Sequence, residues 1–232
     1  MTTNLATSEP VVMATPDALR IVPLDAEQLK LAASILYMAY QDDPLLMQIF
    51  RAEQPEYEQR LRSAIREDLA AFWQAGQPIL GLLQGEQLLG VACITMPTSS
   101  LSGDRFWHWR LKMLLTAGVL STRQMLEKEQ KIHAAMPAER YHMLALLARN
   151  PAYHHPAAMK HFLKAIDHWV DADPQSQGIG VFVTLEKYLP LFAQDDYQRV
   201  CQLEFQTVAG TLLYRPRQVS SDELATHSQE PH

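Results

Sequence analysis

The chain has 232 residues, 47% hydrophobic and 20% charged, an ordinary globular composition that allows one sizeable core. Its 26 acidic and 20 basic residues give a formal charge of -6, which argues against a broad polyanion-binding face and against nucleic acid as a partner. No window reaches the roughly 18 apolar residues of a membrane span, and residues 1–17 hold neither Lys nor Arg nor an apolar run of signal length, so a cytoplasmic protein without membrane association is expected.

In chain order, residues 1–18 are non-periodic and read as a tail, as do the polar residues 219–232, leaving one domain over 19–218. Residues 19–24 form a short apolar strand. Asp25 can cap a helix over 26–41, with Leu29, Ala32, Ala33, Leu36 and Tyr40 on one face. A second helical piece covers 44–50. Pro55 opens a third over 56–74, where Leu61, Ile65, Leu69, Phe72 and Trp73 recur at helical spacing before Gly76. From 78 to 96 two apolar runs flank Gly85-Glu86, the pattern of a β-hairpin. Residues 105–120 are apolar on nearly every side and 121–135 are charged, which suits two helical pieces covering one end of a sheet; the first is equally suited to a lid or to a homodimer contact.

The second half alternates strand (142–148), helix (157–170), strand (181–185), short helix (189–194) and a terminal strand pair near 200–208 and 211–214. Helices between strands followed by a closing hairpin predict an α/β fold with a mixed, mostly antiparallel sheet flanked by helices. Cys93 and Cys201 lie in apolar strand-like runs without metal or redox spacing and are expected as free thiols. His161 and His168 share a helix face, yet two turns hold them about 10.5 Å apart, too far for one metal ion. No metal site is expected.

The chemistry concentrates in 141–170. Met159, Phe162, Leu163, Ile166, Trp169 and Val170 make one apolar helix face, and Pro156-Ala157 marks its start. The first amides, at Ala157, Ala158 and Met159, are placed to meet an anion, with His154, His155 and Lys160 adding charge. No glycine falls between Gly118 and Gly178, although glycine usually lets a backbone close on phosphate.

The run Leu146-Leu147-Ala148-Arg149-Asn150-Pro151-Ala152-Tyr153, between a strand and a helix, resembles motif A of the Gcn5-related N-acetyltransferases, often L-L-G-V-x-P-x-Y-Q-G-x-G-I-G. Leu185-Glu186 and Tyr188-Leu189-Pro190-Leu191-Phe192 resemble the later L-E and N-V-P-x-Y motifs, and Asp43-Pro44 fits a common branch of the family. The resemblance implies an acyl-CoA N-acyltransferase fold and acetyl-CoA, or another acyl-CoA, as co-substrate for a small amine acceptor. The pantetheine arm would pair with backbone near Leu147, Ala148 and Arg149. The pyrophosphate would lie over the helix start, from His154 and His155 to Ala157, Ala158, Met159 and Lys160. Ala157 and Met159 fill the family's two glycine positions, Pro156 removes an amide donor, and Phe192 stands where the family places a tyrosine acid. The remaining catalytic candidates are His142, Glu186 and His133 as base, and Tyr188 or Tyr197 as acid. A relative that binds ligand without transfer, or one performing another reaction on a CoA thioester, is the alternative.

Overall fold

The apolar runs around Gly85-Glu86 form the expected hairpin, β2 (Ile79–Gln84) and β3 (Gln87–Thr95), and Gly85 supplies the positive φ of 57° in its turn. The computed structural model describes residues 18–97, 104–153, 157–193 and 196–218. Within them the other strands are β1 (Leu19–Pro23), β4 (His142–Arg149), β5 (Gly178–Val183), β6 (Gln198–Phe205) and β7 (Val208–Pro216). Together they make a seven-stranded sheet of order β1-β2-β3-β4-β5-β7-β6 among the described residues. Only β4 and β5 pair parallel. The fold is thus the mixed, mostly antiparallel α/β class expected from the order of elements.

Both faces of the central strands are buried. In β3, Leu88, Val91 and Cys93 enter the core beneath α1 (Leu29–Tyr40), α2 (Pro44–Phe50) and α3 (Tyr57–Gln74), while Leu89, Ala92 and Ile94 enter the core beneath α5 (Ala158–Asp171). Side chains alternate across a strand, so a double-sided core produces the near-continuous apolar run seen in its sequence. In α5, Phe162, Leu163, Ile166 and Val170 are fully buried, which is the amphipathic stripe its spacing predicts.

Several boundaries differ from expectation for local reasons. Asp25 and Gln28 cap one another reciprocally at 3.0 Å, so residues 25–28 form a turn and α1 begins at Leu29 rather than 26. Strand β5 begins at Gly178 rather than 181, because Gly178 and Gly180 lower its apparent strand propensity while serving close packing: an added Cβ would meet Arg215 O at 2.2 Å and Met136 Cε at 2.6 Å. The short helix expected from 189 is α6 (Leu189–Phe192), preceded by a 3₁₀ turn (Glu186–Tyr188) that the sequence did not announce; residue 194 lies outside the described residues.

The segment read as two helical pieces, α4 (Asp104–Ala135), is indeed two helices that meet in a bend at Gly118, where a φ of 84° and a ψ of 167° are not helical. Beyond the bend it packs on α2, α3 and β6. Ser121 Oγ donates to Ile49 O at 2.7 Å, and Lys131 Nζ donates to Glu204 O at 2.9 Å. Of the expected tails, 1–17 and 219–232 lie outside the described residues, as do His154 and His155.

Candidate active site

Strands β4 and β5 pair through His142↔Ile179, Met143↔Gly180 and Leu144↔Val181, and then part. The cause lies on the other edge of β4. Leu144 faces Ile94 and Leu146 faces Cys93, so Ala145 is an extra residue that bends the strand. A cleft of about 510 Å³ opens between the diverging strands, lined by Leu147, Ala148 and Arg149 on one side and by Phe182 to Leu185 on the other.

The junction between α1 and α2 spans this opening. From its first end, the Tyr40 hydroxyl accepts from Leu147 N at 3.0 Å and donates to Leu147 O at 3.4 Å, so a side chain occupies the strand edge that β5 has left. From its other end, Asp43 reaches the residue after β5, accepting from the Thr184 hydroxyl through Oδ2. Asp43 Oδ1 meanwhile caps α2, accepting from the amides of Leu45 and Leu46 at 3.0 Å each, with Pro44 at the helix start. Burial raises the Tyr40 pKa well above its ordinary value, against the lowering effect of the Leu147 hydrogen bond and with a contribution from Asp43. Asp42, Asp43, Lys187 and Tyr188 also line the cleft, giving it charged groups of both signs.

Asn150 turns the chain as it leaves β4. Asn150 is buried; its Oδ1 accepts from Ala152 N at 3.0 Å, its Nδ2 donates to Leu88 O at 2.8 Å, and its amide donates to Leu89 O at 2.8 Å. Helix α5 then starts after Ala157 with no side-chain cap. Ala158 points into the core at 2% exposure, Met159 lines the cleft, and Lys160 is exposed on the helix.

The sequence-predicted residues divide by place. Leu147, Ala148, Arg149, Met159 and Tyr188 line the cleft, and Ala157 and Lys160 lie at the exposed start of α5. The other catalytic candidates lie elsewhere. His142 sits at the closed end of the strand pair, fully buried, with Nδ1 2.8 Å from Ser176 Oγ and Nε2 3.4 Å from Asp173 Oδ2, its ring edge-on to Trp169 at 4.9 Å. Burial lowers its pKa to about 4, against the opposing effect of Asp173. Tyr197 donates to Asp167 Oδ1 at 2.8 Å and stacks edge-on against buried Phe192. Glu186 is exposed on the 3₁₀ turn, outside the cleft lining, and His133 bonds Tyr141 OH at 2.8 Å. Residues 118–135 contribute nothing to the lining.

Sequence reasoning missed the α1–α2 junction. Tyr40 keeps the apolar helix spacing and passes for a core residue. Asp43-Pro44 carried the better signal, an acidic cap followed by proline. Among the described residues, no group of three His, Cys, Asp or Glu side chains is placed to hold a metal, and no helix is long and apolar enough to cross a membrane.

The mixed, mostly antiparallel seven-stranded sheet flanked by helices matches the fold of Gcn5-related N-acetyltransferases. An acetyltransferase from Corynebacterium glutamicum, described as related to histone acetyltransferase, superposes with a TM-score of 0.65 at 13% identity, over 88% of this chain and 98% of its own. A putative arylalkylamine N-acetyltransferase from the yellow fever mosquito gives 0.59 at 11% identity, over 86% and 88%. The polyamine N-acetyltransferase of Drosophila melanogaster gives 0.55 at 11%, over 86% and 100%. No family model and no curated protein matches the sequence.

Proposed function

We propose that this chain is an acyl-CoA-dependent N-acyltransferase that moves an acetyl group directly to a small amine. The observation that carries the reading is the edge of β4 at Leu147 that β5 leaves, where a displaceable Tyr40 hydroxyl rather than a strand holds the N–H and C=O, beside a carboxylate-bearing junction. In this reading the pantetheine arm pairs with the Leu147 C=O and the backbone of Arg149, leaving the Leu147 N–H for the thioester, and the pyrophosphate lies over the start of α5 at Ala157, Ala158 and Met159, beside Lys160. Fold neighbours described as arylalkylamine and polyamine acetyltransferases support an amine acceptor.

Asp42 and Asp43 at the cleft suit a cationic amine, and Asp43 is the base best placed to take its proton. The freed nitrogen lone pair adds to the thioester carbonyl carbon, forming the C–N bond. Collapse restores the C=O and breaks the C–S bond; the thiolate leaves with the electron pair, and the nitrogen gives its surplus proton to water. A thiol pKa of about 8.5 lets the thiolate depart and then take a proton from water, so Phe192 in place of an acid is no obstacle. Tyr188, half exposed in the cleft, is the nearest alternative donor.

Calorimetric titration with acetyl-CoA and CoA tests the reading. Binding is expected in the wild type and should weaken roughly 10-fold in Lys160→Glu, about 1.4 kcal/mol. Absence of binding at millimolar ligand defeats the proposal. Binding without thiol release across an amine panel would instead favour a ligand-binding relative, the reading that Phe192 supports.

A further inference from the structure

We propose that the Tyr40 hydroxyl and the Leu147 amide form the donor pair that holds the thioester carbonyl oxygen during transfer. This rests on the acyl-CoA reading above and assigns a role to a residue which that reading leaves idle. Leu147 N–H points from the edge of β4 that β5 has abandoned, and its partner is a phenol oxygen 3.0 Å away. That oxygen occupies the place an incoming carbonyl oxygen would take.

Displacing the phenol leaves a part-buried O–H that needs an acceptor. Its present one is poor, Leu147 O at 3.4 Å. A carbonyl oxygen held by Leu147 N lies next to it and becomes a far stronger acceptor as negative charge builds there. Burial keeps the phenol protonated, so it can donate a hydrogen bond without surrendering its proton. Asp43 is fixed to the same turn, its amide donating to Tyr40 O at 3.1 Å, so base and donor are held together. As the amine adds, the carbonyl π pair moves onto an oxygen facing both donors; as the C–S bond breaks, the pair returns.

The test compares acetyl-CoA with S-ethyl-CoA, which keeps the arm but lacks the carbonyl, in wild type and Tyr40→Phe. The wild type should prefer acetyl-CoA, and the variant should lose about 2- to 10-fold of that preference. With an accepted amine, its kcat should fall on the order of 100-fold at unchanged amine KM. An unchanged preference, including equal tightening of both ligands, overturns the inference and leaves the acyl-CoA reading standing. A wild type that binds neither ligand overturns both. If Tyr40→Phe melts early, 3-fluorotyrosine at position 40, a stronger donor, should lower the carbonyl stretch of bound carbonyl-13C acetyl-CoA; an unmoved band overturns the inference.

Discussion

The two ends of β4 are built on opposite principles. At its start the strand is paired on both sides and cross-tied. Gln177 Oε1 accepts from the amides of Glu139 and Arg140, Ser176 Oγ bridges His142 and Gly178, and Tyr214 OH donates to Gln177 O at 2.6 Å. At its end one edge is bare, and a single tyrosine hydroxyl stands where a strand would be. One eight-residue strand therefore serves as anchor at one end and as site at the other. Ligand-binding regions belong to the less constrained parts of a fold, and the bulge at Ala145 marks where this one begins.

Gly178→Ala breaks the anchored end most severely. A Cβ there meets Arg215 O at 2.2 Å and Tyr214 Oη at 2.6 Å, and the φ of 153° adds strain. Because backbone cannot step aside as a side chain can, a loss of about 3 kcal/mol or more is expected in denaturant unfolding. Acetyl-CoA affinity per folded molecule should hardly change. A loss of affinity matching the loss of stability would mean that the two ends are one unit.

The same end should respond to acid. His142 is buried and neutral, with its pKa lowered from 6.5 to about 4. The unfolded chain thus takes up a proton that the native one refuses. The stabilisation is complete above pH 6.5 and is lost as pH falls toward 4, amounting to about 3 kcal/mol at full extent. Melting temperatures across that range should fall more steeply in the wild type than in His142→Gln. Equal slopes would remove His142 as the cause.

The anchored end and its helix were largely legible in the sequence, and the site was half legible. Phe162, Leu163, Ile166 and Val170 announce α5 because an amphipathic stripe is a local pattern. Leu147 and Arg149, which the motif resemblance singles out, line the cleft. His142 was drawn toward catalysis because it lies on the same strand, but whether a β4 residue faces the cleft depends on where β5 stops pairing, which no local pattern encodes. Tyr40 was hidden for a similar reason: its partner lies 107 residues away, and its helix spacing is that of a core residue. The turn after β4 had a local signal in Asn150, whose side chain accepts from Ala152 N and ties the turn to Leu88.

The smallest effect separates structure from chemistry within the junction itself. Asp43 holds two amides of α2 through one oxygen and Thr184 through the other, so a purely structural role needs acceptor atoms and no charge. Asparagine retains an acceptor for the cap, whereas alanine retains none. Asp43→Ala should therefore cost about 1 kcal/mol in stability, and Asp43→Asn only a few tenths. Turnover should follow the charge instead, because an amide cannot take a proton from an ammonium group. Both variants should lose thiol release on the order of 100-fold while acetyl-CoA binding persists. If Asp43→Asn turns over like the wild type, the carboxylate is a cap alone, and the open end of β4 draws its base from elsewhere in the cleft.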